Sequence, residues 1–142
     1  MTVLLDVNVL IALADARHQS HDTVSEWFFS VRARSWATCP ITENGFVRIL
    51  AHSSYTNFSD SIEAVRKILL RLRASPGHQF WADSISITES NRISNLHHSK
   101  SITDLYLLAL AVKNKGQLAT LDSKIRSSEV SGAKNAYLLL KS

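Results

Sequence analysis

The chain has 142 residues, of which 45% are hydrophobic and 20% are charged. This composition excludes a disordered or fibrous protein and predicts a single domain, residues 1–142, that can bury a sizeable core. The formal net charge of +4 allows an acidic partner such as nucleic acid but does not by itself indicate one.

The first part of the chain alternates short apolar segments with amphipathic ones. Residues 2–5 predict a buried strand, and residues 7–14 predict a helix that follows it at once. A second helix is expected to begin at Ser20 or Asp22 and to end near Arg34, because apolar side chains recur there every three or four residues. A brief strand over residues 36–40 and a helix over residues 42–50 follow.

The second part of the chain continues this alternation. Asp60 and Glu63 have the spacing of a capping box at the start of a helix that ends at Arg73. Thr103 is expected to cap a strongly apolar helix that ends at Lys115. The other predicted elements are a strand at the start of residues 78–87, a weak helix over residues 88–99, and strands over residues 117–121 and 136–140.

Short apolar strands alternating with helices predict an α/β fold with three layers, α/β/α. The central sheet is expected to be mostly parallel, with helices on both faces. In such sheets ligands bind beyond the carboxyl ends of the strands, where the strand order reverses. A functional site is therefore expected at that edge.

Four acidic residues stand beside apolar runs at the ends of predicted elements. Asp6 follows the first strand, and Asp122 follows the strand 117–121. Glu43 and Asp104 lie in the first turns of two helices. If the sheet is parallel as predicted, all four carboxylates reach the same carboxyl edge.

Each acid also has a structural explanation when it is taken alone. Asp6 caps a helix, Glu43 and Asp104 favour the helix macrodipole, and Asp122 suits a turn. Together, however, four carboxylates repel one another strongly in a low dielectric, and a divalent cation makes such a cluster tolerable. Oxygen ligands without cysteine or clustered histidine favour Mg²⁺ or Mn²⁺ over Zn²⁺. The chemistry indicated is metal-dependent hydrolysis of a phosphate ester.

The sequence resembles a known family in these same segments. The stretches "LLDVNVLIALAD", "TENGFVRIL", "ITDLYLLALA" and "LATLD" resemble, in order, the motifs of PIN-domain ribonucleases, particularly VapC-type toxins of toxin–antitoxin pairs. The stretch "ADARHQSHDTVSEWF" is similar to the second segment of that family. The resemblance runs from Thr2 to about Asp122, which is most of the chain.

The resemblance implies a role for each motif residue. Asp6, Glu43, Asp104 and Asp122 match the acidic quartet of a Mg²⁺-dependent endoribonuclease. Asp6 and Asp104 match the positions tied most directly to the metal, and the other two acids would act through waters or a second metal. Asn8 would orient an acid, and Thr120 matches a small hydroxyl residue.

The resemblance also implies partners: an RNA substrate, a second copy of the chain in a homodimer, and a cognate antitoxin that buries the pocket. Two rival functions remain open. One is a module that binds RNA or a protein partner and keeps only a structural metal. The other is a phosphatase-like or receiver-like domain with Asp6 as a phosphorylated nucleophile, which would need a lysine positioned near the acids.

The compartment is predicted to be the cytoplasm, without a membrane segment. The longest apolar run, residues 105–112, is shorter than the roughly 20 residues that a membrane-spanning helix needs. Asp6 interrupts the first apolar run, which argues against a secretory signal. The single Cys39 cannot form an internal disulfide and is interpreted as a small buried apolar residue.

Several other residues are weaker candidates. The pair His18 and His21 lacks a third metal ligand nearby, and His97 and His98 are interpreted as loop residues that could touch RNA. The aromatic residues at 27–29 are expected to pack in a core or subunit interface.

Without the four site acids, eight acidic residues face sixteen Lys and Arg, which suits a rim that holds a phosphate backbone. The candidate rim residues are Arg48, Arg66, Lys67, Arg71 and Arg73, with a solvated helix face as the alternative.

Overall fold

The computed structural model describes residues 1–30, 35–58 and 61–141. In these ranges the helices are α1 Val7–Ala14, α2 His21–Phe28, α3 Pro40–Leu50, α4 Ile62–Arg73 and α5 Ile102–Lys113. The strands are β1 Val3–Leu5, β2 Trp36–Thr38, β3 His78–Phe80, β4 Gln117–Thr120 and β5 Tyr137–Leu139. Two short 3₁₀ segments, Ser99–Ser101 and Ser127–Glu129, complete the regular structure of the described residues.

The strands form one parallel sheet in the order β3-β2-β1-β4-β5. Val3 of β1 is aligned with Trp36 of β2 on one side and with Gln117 of β4 on the other. From β1 the chain builds outward to β2 and β3, and it later returns to place β4 and β5 on the opposite side. The strand order thus reverses between β1 and β4, and this is where a ligand site is expected.

The sheet lies between two helical layers, as the sequence predicts. Val3 and Leu5 point into a core formed with α1, α2, α3 and α4. Leu4 points to the opposite face and packs with α5. Successive strand residues face opposite sides of a sheet, so a strand that is apolar at every position must be covered on both faces. The three-layer α/β/α fold is confirmed.

The helix ends follow from local chemistry. Asp6 caps α1, and the Ser61 hydroxyl caps α4 by accepting a hydrogen bond from Ala64 N at 3.1 Å. Pro40 starts α3 two residues earlier than predicted, because proline needs no hydrogen-bond partner for its nitrogen in a first turn. The α5 residues 105–111 are all buried, which explains why this helix is apolar on every side.

Some sequence predictions differ from the structure. Residues 88–99 form turns and a bridge between Ile93 and Val130 instead of a weak helix. The Glu89 carboxylate accepts a hydrogen bond from Ser86 N at 2.7 Å and so stabilises a turn there. The cap of α5 falls on Ser101, not on Thr103, since the preceding 3₁₀ turn runs directly into the helix.

The second helix, α2, ends at Phe28. The predicted end at Arg34 and the predicted cap at Asp60 lie outside the described residues. Cys39 is buried and free, as predicted. Among the described helices, none combines the length and the apolar character that crossing a membrane requires.

Candidate active site

Asp6 lies at the carboxyl end of β1 and is only 5% exposed. Its Oδ1 accepts a hydrogen bond from Val7 N at 2.7 Å, which caps α1. Its Oδ2 accepts a hydrogen bond from Thr120 Oγ1 at 2.7 Å. Asp6 is therefore both a helix cap and a buried acid, and each carboxylate oxygen retains a further lone pair that can meet a ligand.

Thr120 and Asn8 connect the carboxyl ends of β1 and β4. Besides donating to Asp6, the Thr120 hydroxyl oxygen accepts hydrogen bonds from Asp122 N at 3.1 Å and from Asn8 Nδ2 at 3.4 Å. The Asn8 Oδ1 in turn accepts a hydrogen bond from Leu121 N at 3.1 Å. One donor and two acceptors use the full capacity of a hydroxyl group. The side chain of Thr120 is thus fixed, and it fixes the backbone that carries Asp122.

Asp104 faces this edge from the first turn of α5, on the other side of the sheet. Burial, the charges of Asp6 and Asp122, and a side-chain hydrogen bond with Asp122 together raise the pKa of Asp104 to about 7, and burial is the largest of these causes. Burial also raises the pKa of Asp6, with a smaller contribution from Asp122. Asp6, Asp104 and Asp122 therefore act on one another, and we call these three residues the acidic cluster.

Glu43 is bound to a different set of partners. Its Oε2 accepts a hydrogen bond from Thr38 Oγ1 at 2.6 Å, and Arg73 Nη1 lies 3.4 Å from each of its carboxylate oxygens. Since the Thr38 hydroxyl donates its proton to Glu43, it accepts a hydrogen bond from His78 Nε2, which lies at 2.8 Å. These contacts tie Glu43 to β2, β3 and α4.

Arg73 is itself held by more than the ion pair. Its guanidinium carbon lies 5.1 Å from the centroid of the Phe80 ring, within the range of a cation–π contact. Burial lowers the pKa of His78, and the charge of Arg73 lowers it further, whereas Glu43 opposes this shift. His78 therefore favours the neutral form beside a carboxylate that already has a cationic partner.

Sequence reasoning missed the partners of Glu43. It treated Arg73 only as part of a basic helix face, and it assigned no role to Thr38 or His78. A signal existed for Thr38, because a hydroxyl residue at the end of a buried strand, five positions before a candidate acid, is polar where the core should be apolar. No local signal existed for His78 and Arg73, which come from β3 and α4.

The acidic cluster has the donor set of a hard divalent cation. Its side chains offer only oxygen atoms, which suit Mg²⁺ or Mn²⁺. Throughout residues 1–30, 35–58 and 61–141, no three His, Cys, Asp or Glu side chains already form a metal cage. The side-chain hydrogen bond that helps to raise the pKa of Asp104 links it to Asp122, so these two carboxyl groups lie together. The residues fit a cation that would offset the repulsion among the carboxylates.

The histidines have other roles or positions. His18 Nδ1 accepts a hydrogen bond from Ser20 N at 3.0 Å, and His21 Nδ1 lies 2.7 Å from Ala12 O. Both rings are therefore used to build the turn between α1 and α2. His97 and His98 are exposed in the loop before the 3₁₀ turn that precedes α5, which confirms their interpretation as loop residues.

The basic residues of the predicted rim are placed as follows. Arg48, Lys67 and Arg71 are exposed. Arg66 pairs with Glu63 at 2.8 Å on the surface of α4. Of the five candidates, Arg73 alone contacts a predicted site acid among the residues that the structure describes.

The aromatic residues at 27–29 divide between core and surface. Phe28 is buried and meets the Trp36 ring edge-on at 5.1 Å. Phe29 is 79% exposed, so it does not pack in the core, and the alternative of a subunit interface stays a prediction for this residue. It follows directly after α2 ends, where the side chain has left the helix face that packs on the sheet.

The chain matches the family model described as PIN domain over residues 3–129. It is 41% identical over 140 residues to the ribonuclease VapC44 of Mycobacterium tuberculosis, and the match covers 97% of this chain and 98% of that protein. It is 38% identical over 122 residues to the ribonuclease VapC38 of the same organism, covering 86% of both.

Solved structures give the same fold. The M. tuberculosis VapC20, described as a sarcin–ricin-loop-cleaving toxin, superimposes with a TM-score of 0.62 at 13% identity, covering 90% of this chain and 95% of that one. VapBC2 from Rickettsia felis, solved with a DNA fragment from its promoter, gives a TM-score of 0.60 at 12% identity over 100% and 99% of the two chains. The family resemblance in the motifs is thereby confirmed over nearly the whole sequence, and the chain belongs to the PIN-domain family, among the VapC ribonucleases.

Proposed function

We propose that this protein is a metal-dependent endoribonuclease that hydrolyses RNA phosphodiester bonds at the acidic cluster, with Mg²⁺ or Mn²⁺ as the cofactor. The ribonuclease relatives support the reaction. The observation that carries the site is the mutual influence of Asp6, Asp104 and Asp122 at the point where the strand order reverses. Asp6 and Asp104 are the direct metal ligands in this proposal.

Each residue of the site has its own role in the proposed hydrolysis. When bound, the cation supplies charge that activates a water and stabilises the phosphate oxygens. Asp122 completes the pocket, and Thr120 and Asn8 hold Asp6 and Asp122 in register. The water oxygen forms a bond to phosphorus while the bond from phosphorus to the leaving sugar oxygen breaks. One product carries the phosphate, and the proton of the water passes to solvent or to the leaving oxygen.

Glu43 completes the quartet from a distance in this proposal. The Thr38 hydroxyl and Arg73 hold its carboxylate in one position, so that it acts through water instead of as a direct ligand. Arg73 also adds a positive charge at the edge of a negative pocket, which favours a phosphate backbone.

We also propose a biological setting. The protein acts as the toxin of a toxin–antitoxin pair, as a single domain of residues 1–142, with a cognate antitoxin that buries the pocket. It acts in the cytoplasm, where its RNA substrate is found, and as a homodimer. The VapBC2 assembly from R. felis supports the antitoxin partner.

The two rival functions make different predictions. A binding module with a structural metal would bind RNA without cutting it. A receiver-like domain would need a lysine near Asp6, and in the described part of the chain no lysine side chain pairs with a member of the acidic cluster.

The test is cleavage of a mixed RNA pool with Mg²⁺, with Mn²⁺ and with a chelator. We expect cleavage that needs the cation and that falls by roughly 100-fold or more in Asp104→Asn. Asp22→Asn is a matched control, because Asp22 is an exposed acid in the first turn of α2. A folded Asp104→Asn variant with full activity would contradict the proposal, as would cleavage that persists without metal.

A further inference from the structure

A cleft of about 570 Å³ opens beside the acidic cluster. Its walls come from the start of α1, the turn between α1 and α2, the end of β5, and the segments that follow β4 and β5. Small-molecule sites in proteins usually measure about 300–1,000 Å³, so the cleft has the capacity for a nucleotide.

The cleft adjoins the acidic cluster at Asn8 and Leu121. Both residues line it, and they are joined to each other by the hydrogen bond from Leu121 N to Asn8 Oδ1 at 3.1 Å. Asn8 Nδ2 lies 3.4 Å from the Thr120 hydroxyl, which donates to Asp6. An RNA that is cut at the acidic cluster would therefore have the nucleotide next to the cut at this cleft.

The lining combines apolar surface with hydrogen-bonding groups. Leu121 and Leu139 offer half-buried apolar surface, and Gln19 and Lys141 offer an exposed amide and an exposed ammonium. His18 accepts a hydrogen bond at Nδ1, so the proton of the neutral ring is on Nε2 and available for donation. A flat base with a polar edge, followed by a phosphate, matches this set of groups.

One wall of the cleft is fixed before any ligand arrives. Asp15 is 2% exposed and accepts hydrogen bonds from Tyr55 OH at 2.6 Å, from Asn57 Nδ2 at 2.7 Å and from Arg17 N at 3.0 Å. His18 N donates to Asp15 O at 3.0 Å. The turn that carries His18 and its neighbour is thus anchored to the segment between α3 and α4. A preformed wall lowers the ordering cost of binding and makes selection among ligands sharper.

We infer that this cleft is a nucleotide subsite of the nuclease, holding the base and sugar next to the phosphate that is cut. Gln19 contacts the base edge, and Lys141 contacts a flanking phosphate of the RNA. This inference rests on the proposed function. It adds residues that determine which RNA sequence is accepted.

Binding is measured first, in the Asp104→Asn background, in which RNA cleavage is expected to be strongly reduced. The probe is a short, fluorescently labelled single-stranded RNA of random sequence, followed by anisotropy. We expect Gln19→Ala and Lys141→Ala each to weaken binding by about three- to tenfold. Lys134→Ala is the matched control, because Lys134 is exposed before β5 whereas Lys141 follows it, so the two lie at opposite edges of the sheet. The control should bind like the parent.

Sequence choice is measured next, in the protein with Asp104 intact. A randomised RNA is cut, and the ends of the products are sequenced. We expect Gln19→Ala to weaken the base preference at one position beside the cut, and Lys141→Ala to lower cleavage of all sequences alike. The difference between the two variants distinguishes a residue that recognises a base from a residue that binds a phosphate.

Failure of the subsite and failure of the proposed function give different results. If the unaltered protein cuts no RNA with either metal, the proposed function is wrong. If it cuts RNA but both variants bind and choose sequences as it does, the subsite is wrong. Variants that handle RNA normally but lose the complex with the antitoxin would assign the cleft to a protein partner, and this too would overturn the inference.

Discussion

The Thr120 hydroxyl donates to Asp6 Oδ2 at 2.7 Å across 114 positions of sequence. The same oxygen accepts hydrogen bonds from Asp122 N and from Asn8. Thr120 is fully buried, so no water can take over these bonds. The hydroxyl group is therefore the junction at which two acids from opposite ends of the chain are aligned.

Replacing Thr120 with valine should damage both stability and activity. The substitution keeps the shape of the side chain but leaves Asp6 Oδ2 and Asp122 N without their partner. Loss of a partner from a buried polar group costs about 1–3 kcal/mol of unfolding free energy. Thr120→Ser keeps the hydroxyl and is the control. Urea unfolding together with RNA cleavage tests this, and an active, fully stable valine variant would contradict it.

Asp6→Asn separates the capping role of Asp6 from its charge. Asparagine caps a helix about as well as aspartate, so α1 should form normally. The substitution also removes one of the mutually repelling charges, which offsets the loss of the hydrogen bond that Oδ2 accepts from Thr120, and we expect the metal-free variant to be about as stable as the parent. Mg²⁺ should raise the melting temperature of the parent but not of the variant, because only the parent gains the binding free energy.

The contrary outcome for Asp6 is equally specific. A variant that loses stability but cuts RNA at the normal rate would show that Asp6 serves only to start α1. Thermal melts with and without Mg²⁺, run beside the cleavage assay, distinguish the two cases.

The raised pKa of Asp104 predicts how stability depends on pH. Its pKa in the folded protein is about 7, whereas an aspartate in the unfolded chain has an ordinary pKa of 3.8. Between these values the folded state binds more protons, so the free energy of unfolding falls as pH rises. Release of one proton changes the free energy of unfolding by at most about 1.4 kcal/mol per pH unit.

This pH dependence is measured by urea unfolding in a chelator from about pH 4 to pH 8, the window set by the two pKa values of Asp104. Asp104→Asn should remove most of the decline, whereas Asp22→Asn should retain it. Equal slopes in the parent and in Asp104→Asn would show that Asp104 does not carry the shifted pKa.

The ion pair between Arg73 and Glu43 predicts an effect on activity that exceeds its effect on stability. Arg73 is 37% exposed in this pair, and partly exposed ion pairs contribute only about 0–1 kcal/mol. Arg73→Gln should therefore leave the unfolding free energy nearly unchanged. It should lower cleavage several-fold, because Glu43 loses a partner that fixes its carboxylate.

Arg66→Gln is the matched control for Arg73→Gln. Arg66 is on the same helix, and its pair with Glu63 is fully on the surface. We expect this variant to cut RNA at the normal rate. Equal losses in the two variants would indicate a general effect of positive charge on RNA binding instead of a positioning role for Arg73.

Much of the fold could be predicted because local pattern and tertiary packing agree. The run of apolar residues in β1 and α5 demands cover on all sides, and a parallel sheet with helices on both faces supplies it. Residues 88–99 could not be predicted in this way. They are held by contacts such as the bridge from Ile93 to Val130, which pairs distant parts of the chain.

The sequence predicts where acids of the candidate site lie in the fold, but it does not predict which side chains contact them. Asp6 and Asp122 follow strands whose carboxyl ends must meet, so their proximity follows from topology. The partners of Glu43 depend on side-chain directions and on Arg73 and His78, which other elements deliver to the same place. The spacing of residues in the sequence does not show which side chains will be the partners of Glu43.

The central place of β1 has a consequence for the living cell. A ribosome makes Asp6 early and Thr120 late, yet β1 needs β4 beside it before the two residues meet. Until that late strand has emerged and paired, Asp6 and Asp104 lack Thr120 and Asp122, and the pocket is incomplete. We therefore expect the pocket, and with it the ribonuclease activity, to form only after β4 has paired with β1.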